Sequence, residues 1–134
     1  NPDGFDYTRS GNPNFRLLEQ SVASLEGAQF ATCFASGVSA ITAVVSTLKS
    51  GDLVLAEENV YGCTYRLFAR VFAKFGVQVR YVDFAQAANG EEIRRQRPTL
   101  VWLESPTNPL LKIVDIAGLS QVAAAVGVPG TMNE

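Results

Sequence analysis

The sequence has 134 residues, 47% of them hydrophobic and 18% charged, with a formal net charge of −2. That length and composition suffice to bury a core, whereas the weak negative charge and the lack of a basic stripe argue against nucleic acid as a partner. No apolar run reaches the roughly 18 residues that a membrane span needs. The absence of histidine excludes Ser-His-Asp triads, Cys-His pairs and histidine metal sites.

The cysteine content indicates the redox environment. The chain carries two cysteines, Cys33 and Cys63. So few cysteines, together with no visible signal peptide, predict reduced thiols and a cytoplasmic location. No metal site is predicted.

The first part of the chain predicts an exposed arm followed by a helix. Residues 1–11 are polar and show no hydrophobic period. Asn12 followed by Pro13 is a good helix start, because Asn caps and Pro suits the first helical position. Gly27 marks the stop. The predicted apolar face of this helix consists of Leu18, Val22 and Leu25.

A strand, a tight turn and a helix are predicted around Ser36 and Gly37. The apolar run at 30–34 predicts a short buried strand, and the apolar residues from Val38 onward predict a helix. The first N–H groups of a helix lack partners inside it, and the helix dipole favours an anion there. The turn therefore predicts a phosphate-binding site. The commoner alternative for such a turn is that Ser36 only caps the helix.

The rest of the sequence alternates strands and helices. Strands are predicted at 53–56, 77–82 and 100–103, and helices at 61–75, 91–96 and from Asp115 to about Val126. This alternation indicates an α/β fold with a mainly parallel sheet and helices on both faces. Ligands of such folds bind at the carboxyl ends of the strands. The candidates at those ends are Ser36 and Gly37 after the first strand, residues 57–61 with Tyr61 after the second, Asp83 after the third, and residues 104–108 with Glu104 and Asn108 after the fourth. Together they would suit a phosphorylated ring.

Four segments together resemble one enzyme family. They read Tyr-Thr-Arg-Ser-Gly-Asn-Pro at 7–13, Phe-Ala-Ser-Gly at 34–37, Val-Tyr-Gly-Cys-Thr-Tyr-Arg at 60–66 and Glu-Ser-Pro-Thr-Asn-Pro at 104–109. In this order they resemble the Cys/Met-metabolism family of pyridoxal 5′-phosphate (PLP) enzymes, which includes cystathionine γ-synthase, cystathionine lyases, methionine γ-lyase and O-acetylhomoserine sulfhydrylase. The resemblance implies part of the large domain of a fold type I, aspartate aminotransferase-like enzyme.

The resemblance also implies roles for the cofactor-binding residues. Gly37 and Val38, in the turn with Ser36, would donate backbone N–H groups to the PLP phosphate. Tyr7 and Arg9 would reach the phosphate of a neighbouring subunit, so residues 1–11 become an arm that completes a partner's site. The plain alternative for Arg9 is a surface charge.

The remaining roles concern the cofactor ring. Tyr61 would stack on the pyridine ring and assist proton transfer, and Glu104 and Asn108 would lie beside the cofactor, Asn108 near its ring hydroxyl. The alternatives are that Tyr61 packs on the core and that Glu104 caps a helix. Cys63 resembles the methionine γ-lyase version of its motif. Two interpretations of Cys63 stay open: it is a residue of the substrate pocket, or it is a small buried thiol at the start of a helix.

The family implies PLP-dependent elimination or γ-replacement on sulfur amino acids by a homo-oligomer, a dimer of dimers. Residues 12–134 would form an incomplete large domain, because Pro129 and Gly130 predict a break where the family continues with a strand. None of Lys49, Lys74 and Lys112 lies at the family's Schiff-base position. The chain alone is therefore predicted to be inactive. The alternatives are a non-catalytic truncated or degenerate polypeptide, or an unrelated nucleotide-binding domain, which would lack its usual glycine-rich signatures.

The family also implies a strand order. The strand at 53–56 would lie between those at 77–82 and 100–103. The predicted strand at 30–34 would stand apart from all three.

Overall fold

The computed structural model of the chain describes residues 4–133, without the side chains of residues 87 and 130–133. Residues 1–3 of the predicted arm and residue 134 lie outside the described part. The helices are α1 (Pro13–Leu25), α2 (Gly37–Val45), α3 (Gly62–Arg70), α4 (Glu91–Gln96) and α5 (Ile116–Ala125). The strands are β1 (Leu53–Glu57), β2 (Gln78–Val82), β3 (Leu100–Glu104) and β4 (Gly130–Asn133). Short 3₁₀ helices occupy Phe72–Phe75 and Ala87–Gly90.

The chain divides into two compact units, residues 1–40 and 41–134. In the first unit, α1 begins as predicted: the Asn12 side chain accepts a hydrogen bond from the Asn14 N–H at 2.8 Å, and Pro13 is the first helical residue. Gly27 follows the helix with a φ of 62°. Only Ala23 of this helix is buried, so the predicted apolar face is exposed to solvent in this structure.

The second unit is built on a parallel sheet in the order β2-β1-β3-β4. β1 pairs with β2 on one side and with β3 on the other, for example Leu55 with Arg80 and with Val101. The predicted central place of β1 is confirmed. All the pairings are parallel, because each strand returns through a helix or a long connection.

Alternating side chains along the central strands fill two apolar clusters, one on each face of the sheet. Val54, Ala56 and Trp102 face a cluster that includes Phe68 of α3. Leu55, Val101 and Leu103 belong to a second cluster, which includes Leu119 of α5. Helices therefore cover both faces of the sheet, as the sequence predicts for a buried parallel sheet.

Two predictions about strands are wrong. Residues 30–34 form no strand and are not buried, and Phe30 has 76% of its surface exposed. An apolar run becomes a strand only where another strand completes its hydrogen bonds, and none of β1 to β4 pairs with this run. Conversely, Pro129 does not prevent a strand, because β4 begins one residue later. The Pro129 carbonyl accepts from the Val101 N–H at 3.2 Å, and a proline at the beginning of a strand is tolerated.

The predicted helix over 61–75 is divided. α3 ends at Arg70, and Val71, with a ψ of −67°, leads into the 3₁₀ helix Phe72–Phe75. Gly76 then ends the segment in the left-handed conformation with a φ of 80°, where a side chain would be strained. The predicted stop is confirmed, although the regular α-helix is shorter than expected.

Candidate functional site

The carboxyl ends of β1 and β3 bring two predicted site segments together. Because the strands are parallel neighbours, the loops that follow them leave the sheet at the same edge. The Asn108 N–H donates to the Asn59 carbonyl at 3.1 Å and joins the two loops. Tyr61 and Asn108, which are predicted as cofactor residues, therefore lie on two loops that are hydrogen-bonded to each other at the same edge of the sheet. The Asn108 side chain is exposed.

Glu104, the last residue of β3, is the buried centre of this edge, with only 4% of its surface exposed. Its Oε2 accepts the backbone N–H of Tyr61 at 2.5 Å. Its Oε1 accepts the Thr64 hydroxyl at 2.9 Å and the Trp102 indole N–H at 3.2 Å. Both oxygens thus accept hydrogen bonds from donors of the chain itself, one of them the N–H of the residue that precedes α3. Its predicted contact with the cofactor stays a prediction.

Thr64 and Trp102 are functional neighbours that the sequence reasoning missed. Thr64 is fully buried in the first turn of α3, a position where a polar side chain needs a partner. The signal available in the sequence was a threonine at the third position of the helix, a position whose side chain often takes part in capping. Its partner on β3 could not be found from local sequence.

Tyr61, Cys63 and Arg66 form a polar cluster at the start of α3. The Tyr61 ring has 44% of its surface exposed, so it offers an aromatic face and is not packed into the core. The Arg66 Nη2 donates to Cys63 Sγ at 3.0 Å. The hydroxyl of Tyr61 and the Arg66 guanidinium both stabilise a thiolate, which lowers the pKa of Cys63. The same hydrogen bond and the charge of the sulfur raise the pKa of Tyr61, so the phenol keeps its proton at neutral pH.

Ser36 and Gly37 begin α2 as the sequence predicts. Ser36 Oγ accepts the Ser39 N–H at 3.2 Å, and its carbonyl accepts the Ala40 N–H at 3.1 Å. Ser36 therefore caps the helix. Gly37 is exposed, and a Cβ placed on it would meet nothing within 4 Å. An anion can therefore approach its backbone closely.

Each helix start, taken by itself, offers a group that suits one part of a phosphorylated ring. The Gly37 N–H has no hydrogen-bond partner within the described part of the chain. A helix start with an unpartnered N–H and no side chain in the way suits a phosphate. The exposed face of Tyr61 suits a flat aromatic ring. The chemistry of the residues fits pyridoxal phosphate, whose contacts with them stay a prediction.

Tyr7 and Arg9 are brought together in a local turn. The N–H groups of Ser10 and Gly11 donate to the Tyr7 carbonyl at 2.8 and 3.1 Å. The Arg9 guanidinium lies 4.5 Å from the centroid of the Tyr7 ring, within the range of a cation–π contact. Both residues are exposed. Their approach to a neighbouring subunit stays a prediction.

A charged network that the sequence reasoning missed joins three loops at the carboxyl edge. Lys112 Nζ lies 2.9 Å from a carboxylate oxygen of Glu58 and 2.9 Å from one of Asp83. Glu57 is fully buried, and its Oε2 accepts the Phe84 N–H at 2.8 Å. Burial raises the pKa of Glu57, whereas Lys112 lowers the pKa of Asp83. The carboxylates of Glu57, Glu58 and Asp83 lie within 4.8 Å of one another, and Lys112 neutralises part of that charge.

Replacing Lys112 with methionine is expected to weaken the acid dependence of stability. The pKa of Asp83 lies below its ordinary value of 3.8 in the folded chain. Its contribution to stability is therefore present above that value and is lost as the pH falls through the folded pKa. Urea unfolding at about pH 5 and about pH 3 measures this loss. The loss should be smaller in Lys112→Met and unchanged in Lys74→Met, whose lysine makes no ion pair in the described chain. An equal loss in all three proteins would contradict the assignment.

Within residues 4–133, every helix is too short or too polar to cross a membrane.

Comparison with known proteins gives one consistent match. The model of the family described as Cys/Met metabolism PLP-dependent enzyme matches residues 1–132. The chain is 41% identical over 119 residues to cystathionine gamma-lyase of Sus scrofa, covering 89% of this chain and 29% of that protein. It is 41% identical over 125 residues to a probable cystathionine gamma-synthase of Herpetosiphon aurantiacus, covering 93% of this chain and 39% of that protein.

Solved structures agree with the family match. The crystal structure of cystathionine gamma-lyase from Lactobacillus plantarum complexed with L-serine is similar to this chain with a TM-score of 0.90 and 35% identity. The similarity covers 98% of this chain and 34% of that one. The chain thus spans under two fifths of the length of these curated relatives.

Proposed function

Since the chain belongs to the Cys/Met metabolism family of PLP-dependent enzymes, we propose that it supplies part of the cofactor site of an enzyme acting on sulfur amino acids. The family's cofactor is pyridoxal 5′-phosphate. The proposed reactions are elimination or γ-replacement. The observation that carries the proposal is the exposed Tyr61 ring, held at the carboxyl edge of a parallel sheet by buried Glu104.

The proposed roles are those that the family resemblance implies, and the geometry of each group supports them. The helix start at Gly37 and Val38 binds the phosphate, and Ser36 fixes the start of that helix. Tyr61 covers one face of the pyridine ring, and Asn108 lies near the ring hydroxyl. Bound PLP supplies an electron sink for the substrate carbanion. Because the pKa of Tyr61 is raised, its hydroxyl holds a proton that it can deliver to a leaving group.

Two further roles lie outside the ring and phosphate contacts. Cys63 adjoins Tyr61 at the start of α3, and we assign it to the substrate pocket because its polarised sulfur faces the same hydroxyl. Tyr7 and Arg9 lie on the exposed arm, where the planar guanidinium of Arg9 suits a phosphate. We propose that they complete the site of a second subunit in a homo-oligomer, a cytoplasmic dimer of dimers.

The lysines support the proposal that the chain is inactive alone. The sequence has three, Lys49, Lys74 and Lys112. Lys49 and Lys74 precede β1 and β2, so they lie towards the amino edge of the sheet, opposite Tyr61. Lys112 is at the carboxyl edge, but its two ion pairs raise the pKa of its ammonium group. An amine must lose its proton to attack the aldehyde of the cofactor, so Lys112 is a poor candidate. A non-catalytic polypeptide is the second candidate function, and this observation favours it.

An activity assay separates the two candidates. The purified chain with added PLP should release no α-keto acid from cystathionine, methionine or O-acetylhomoserine. A chimera in which the chain replaces the matching segment of Sus scrofa cystathionine gamma-lyase should release it, and Tyr61→Phe should lower that rate. Release by the chain alone would overturn the proposed inactivity. A folded, PLP-loaded chimera without activity would favour the non-catalytic polypeptide.

A further inference from the structure

We propose that Glu104 is a positioning residue, which fixes Tyr61 against the cofactor and does not itself bind it. The inference rests on the proposed function, because it assigns Tyr61 to the pyridine ring. It differs from the role that the family resemblance implies for Glu104, which is a direct place beside the cofactor.

The hydrogen bonds of Glu104 carry the inference. Its carboxyl group receives three donors, the Tyr61 backbone N–H, the Thr64 hydroxyl and the Trp102 indole N–H. The group is 4% exposed, and both of its oxygens are in use. A buried carboxyl group that satisfies three donors of its own chain is not oriented to bind a ligand.

The place of Glu104 in the fold explains why Tyr61 is the residue that it controls. Tyr61 precedes α3, and no side chain from its own segment caps that helix. The cap comes instead from the end of β3, 43 residues later in the chain. A strand in the middle of the sheet is a rigid support, so the bond fixes the Tyr61 backbone relative to the sheet. Thr64, one turn along α3, makes a second attachment to the same carboxyl group.

The donor pattern also shows why an amide cannot replace the carboxyl group. All three partners are donors, and a glutamine has one acceptor oxygen and one NH₂ group. With its oxygen towards Tyr61, the NH₂ group faces the Trp102 N–H. With the amide reversed, the NH₂ group faces the Tyr61 N–H. Each orientation places two donors together. The orientation with the amide oxygen at the Oε1 position keeps two of the three hydrogen bonds, those from Thr64 and Trp102, so Glu104→Gln is expected to release the Tyr61 N–H.

The decisive variants are Glu104→Gln and Thr64→Val. Glu104→Gln should raise the hydrogen-exchange rate of the Tyr61 amide about tenfold, the equivalent of one lost hydrogen bond. It should also raise the dissociation constant for PLP by about fivefold or more, which is the loss of affinity that corresponds to part of one hydrogen bond. Equilibrium dialysis measures this constant. Thr64→Val removes one donor and keeps the bond between Glu104 and Tyr61. It should change neither quantity by more than about twofold, even where it lowers stability.

A double-mutant cycle with Tyr61→Ala separates positioning from direct binding. If Glu104 acts through Tyr61, adding Glu104→Gln to Tyr61→Ala weakens PLP binding by less than about twofold. A full additional loss would overturn the inference in favour of direct contact. Unchanged exchange of the Tyr61 amide in Glu104→Leu, whose side chain has no acceptor, would overturn it as well.

Two controls keep the outcomes distinct. If Glu104→Gln does not fold, Glu104→Asp replaces it in the test. Its side chain keeps both carboxylate oxygens but is one methylene group shorter, so the hydrogen-exchange rate of the Tyr61 amide should also rise. Trp102, the single tryptophan of the sequence, reports folding through its fluorescence. A chimera with cystathionine gamma-lyase that carries the wild-type chain, folds and binds no PLP would overturn the proposed function, whereas the exchange of the Tyr61 amide would still decide the anchoring by Glu104.

Discussion

Phe68→Ala is expected to lower the free energy of unfolding by about 3–5 kcal/mol. Phe68 is fully buried on the side of α3 that faces the sheet. Its ring meets Trp102 edge to face, with the centroids 5.9 Å apart and the planes at 83°. Truncation leaves a cavity and removes an aromatic contact worth about 0.5–1.5 kcal/mol beyond the buried area. Because a domain is stable by only about 5–15 kcal/mol, the variant loses a large share of its stability.

Urea unfolding followed by Trp102 fluorescence measures this loss. The matched control is Phe75→Ala, which removes the same side chain from the 3₁₀ helix after α3. Phe75 has 67% of its surface exposed, so its loss should cost under about 1 kcal/mol. Equal destabilisation by the two variants would contradict the packing of α3 on the sheet.

Gly37→Pro is expected to weaken PLP binding by about tenfold to a hundredfold while the protein stays folded. Proline suits the first position of a helix, and its fixed φ does not disturb the helix. It removes the one N–H that the described structure leaves without a partner at the α2 start. A lost hydrogen bond to a charged phosphate costs about 1.5–3 kcal/mol, which gives the stated loss of affinity.

Gly37→Ala is the control for this variant, because it keeps the N–H and adds a methyl group to a position with no atom within 4 Å. Equilibrium dialysis with PLP compares the three proteins, and circular dichroism checks their folding. The Gly37→Ala protein should bind PLP more tightly than the Gly37→Pro protein. Equal binding by wild type and a folded Gly37→Pro variant would show that the α2 start does not hold the phosphate.

Most helices and strands of residues 41–134 could be predicted from the sequence, because apolar runs and helix caps involve residues that are close together in the chain. The apolar runs of β1 and β3 require burial on both faces. Asp115 accepts the Gly118 N–H at 3.0 Å and begins α5 as expected. Residues 30–34 show the limit of this reasoning. Four of these five residues are apolar. Such a run forms a strand only if another strand pairs with it, and pairing is a property of the whole fold.

For the candidate site, the sequence predicts residue types but not the contacts between them. Tyr61 and Glu104 were identified as site residues through the motifs around them. Their hydrogen bond joins positions 43 residues apart, and no spacing rule brings such positions together. Lys112 likewise reaches Asp83 across 29 residues. These contacts exist because parallel strands deliver distant loops to one edge, so they appear only once the strand order is known.

The most direct test of the account is an NMR titration of the isotopically labelled protein with PLP. If the α2 start and Tyr61 each bind PLP as proposed, the backbone amide signals of Gly37, Val38 and Tyr61 shift together with one dissociation constant, and inorganic phosphate alone shifts those of Gly37 and Val38. Saturating PLP that leaves these three signals in place, or shifts only signals elsewhere in the chain, would contradict the claim.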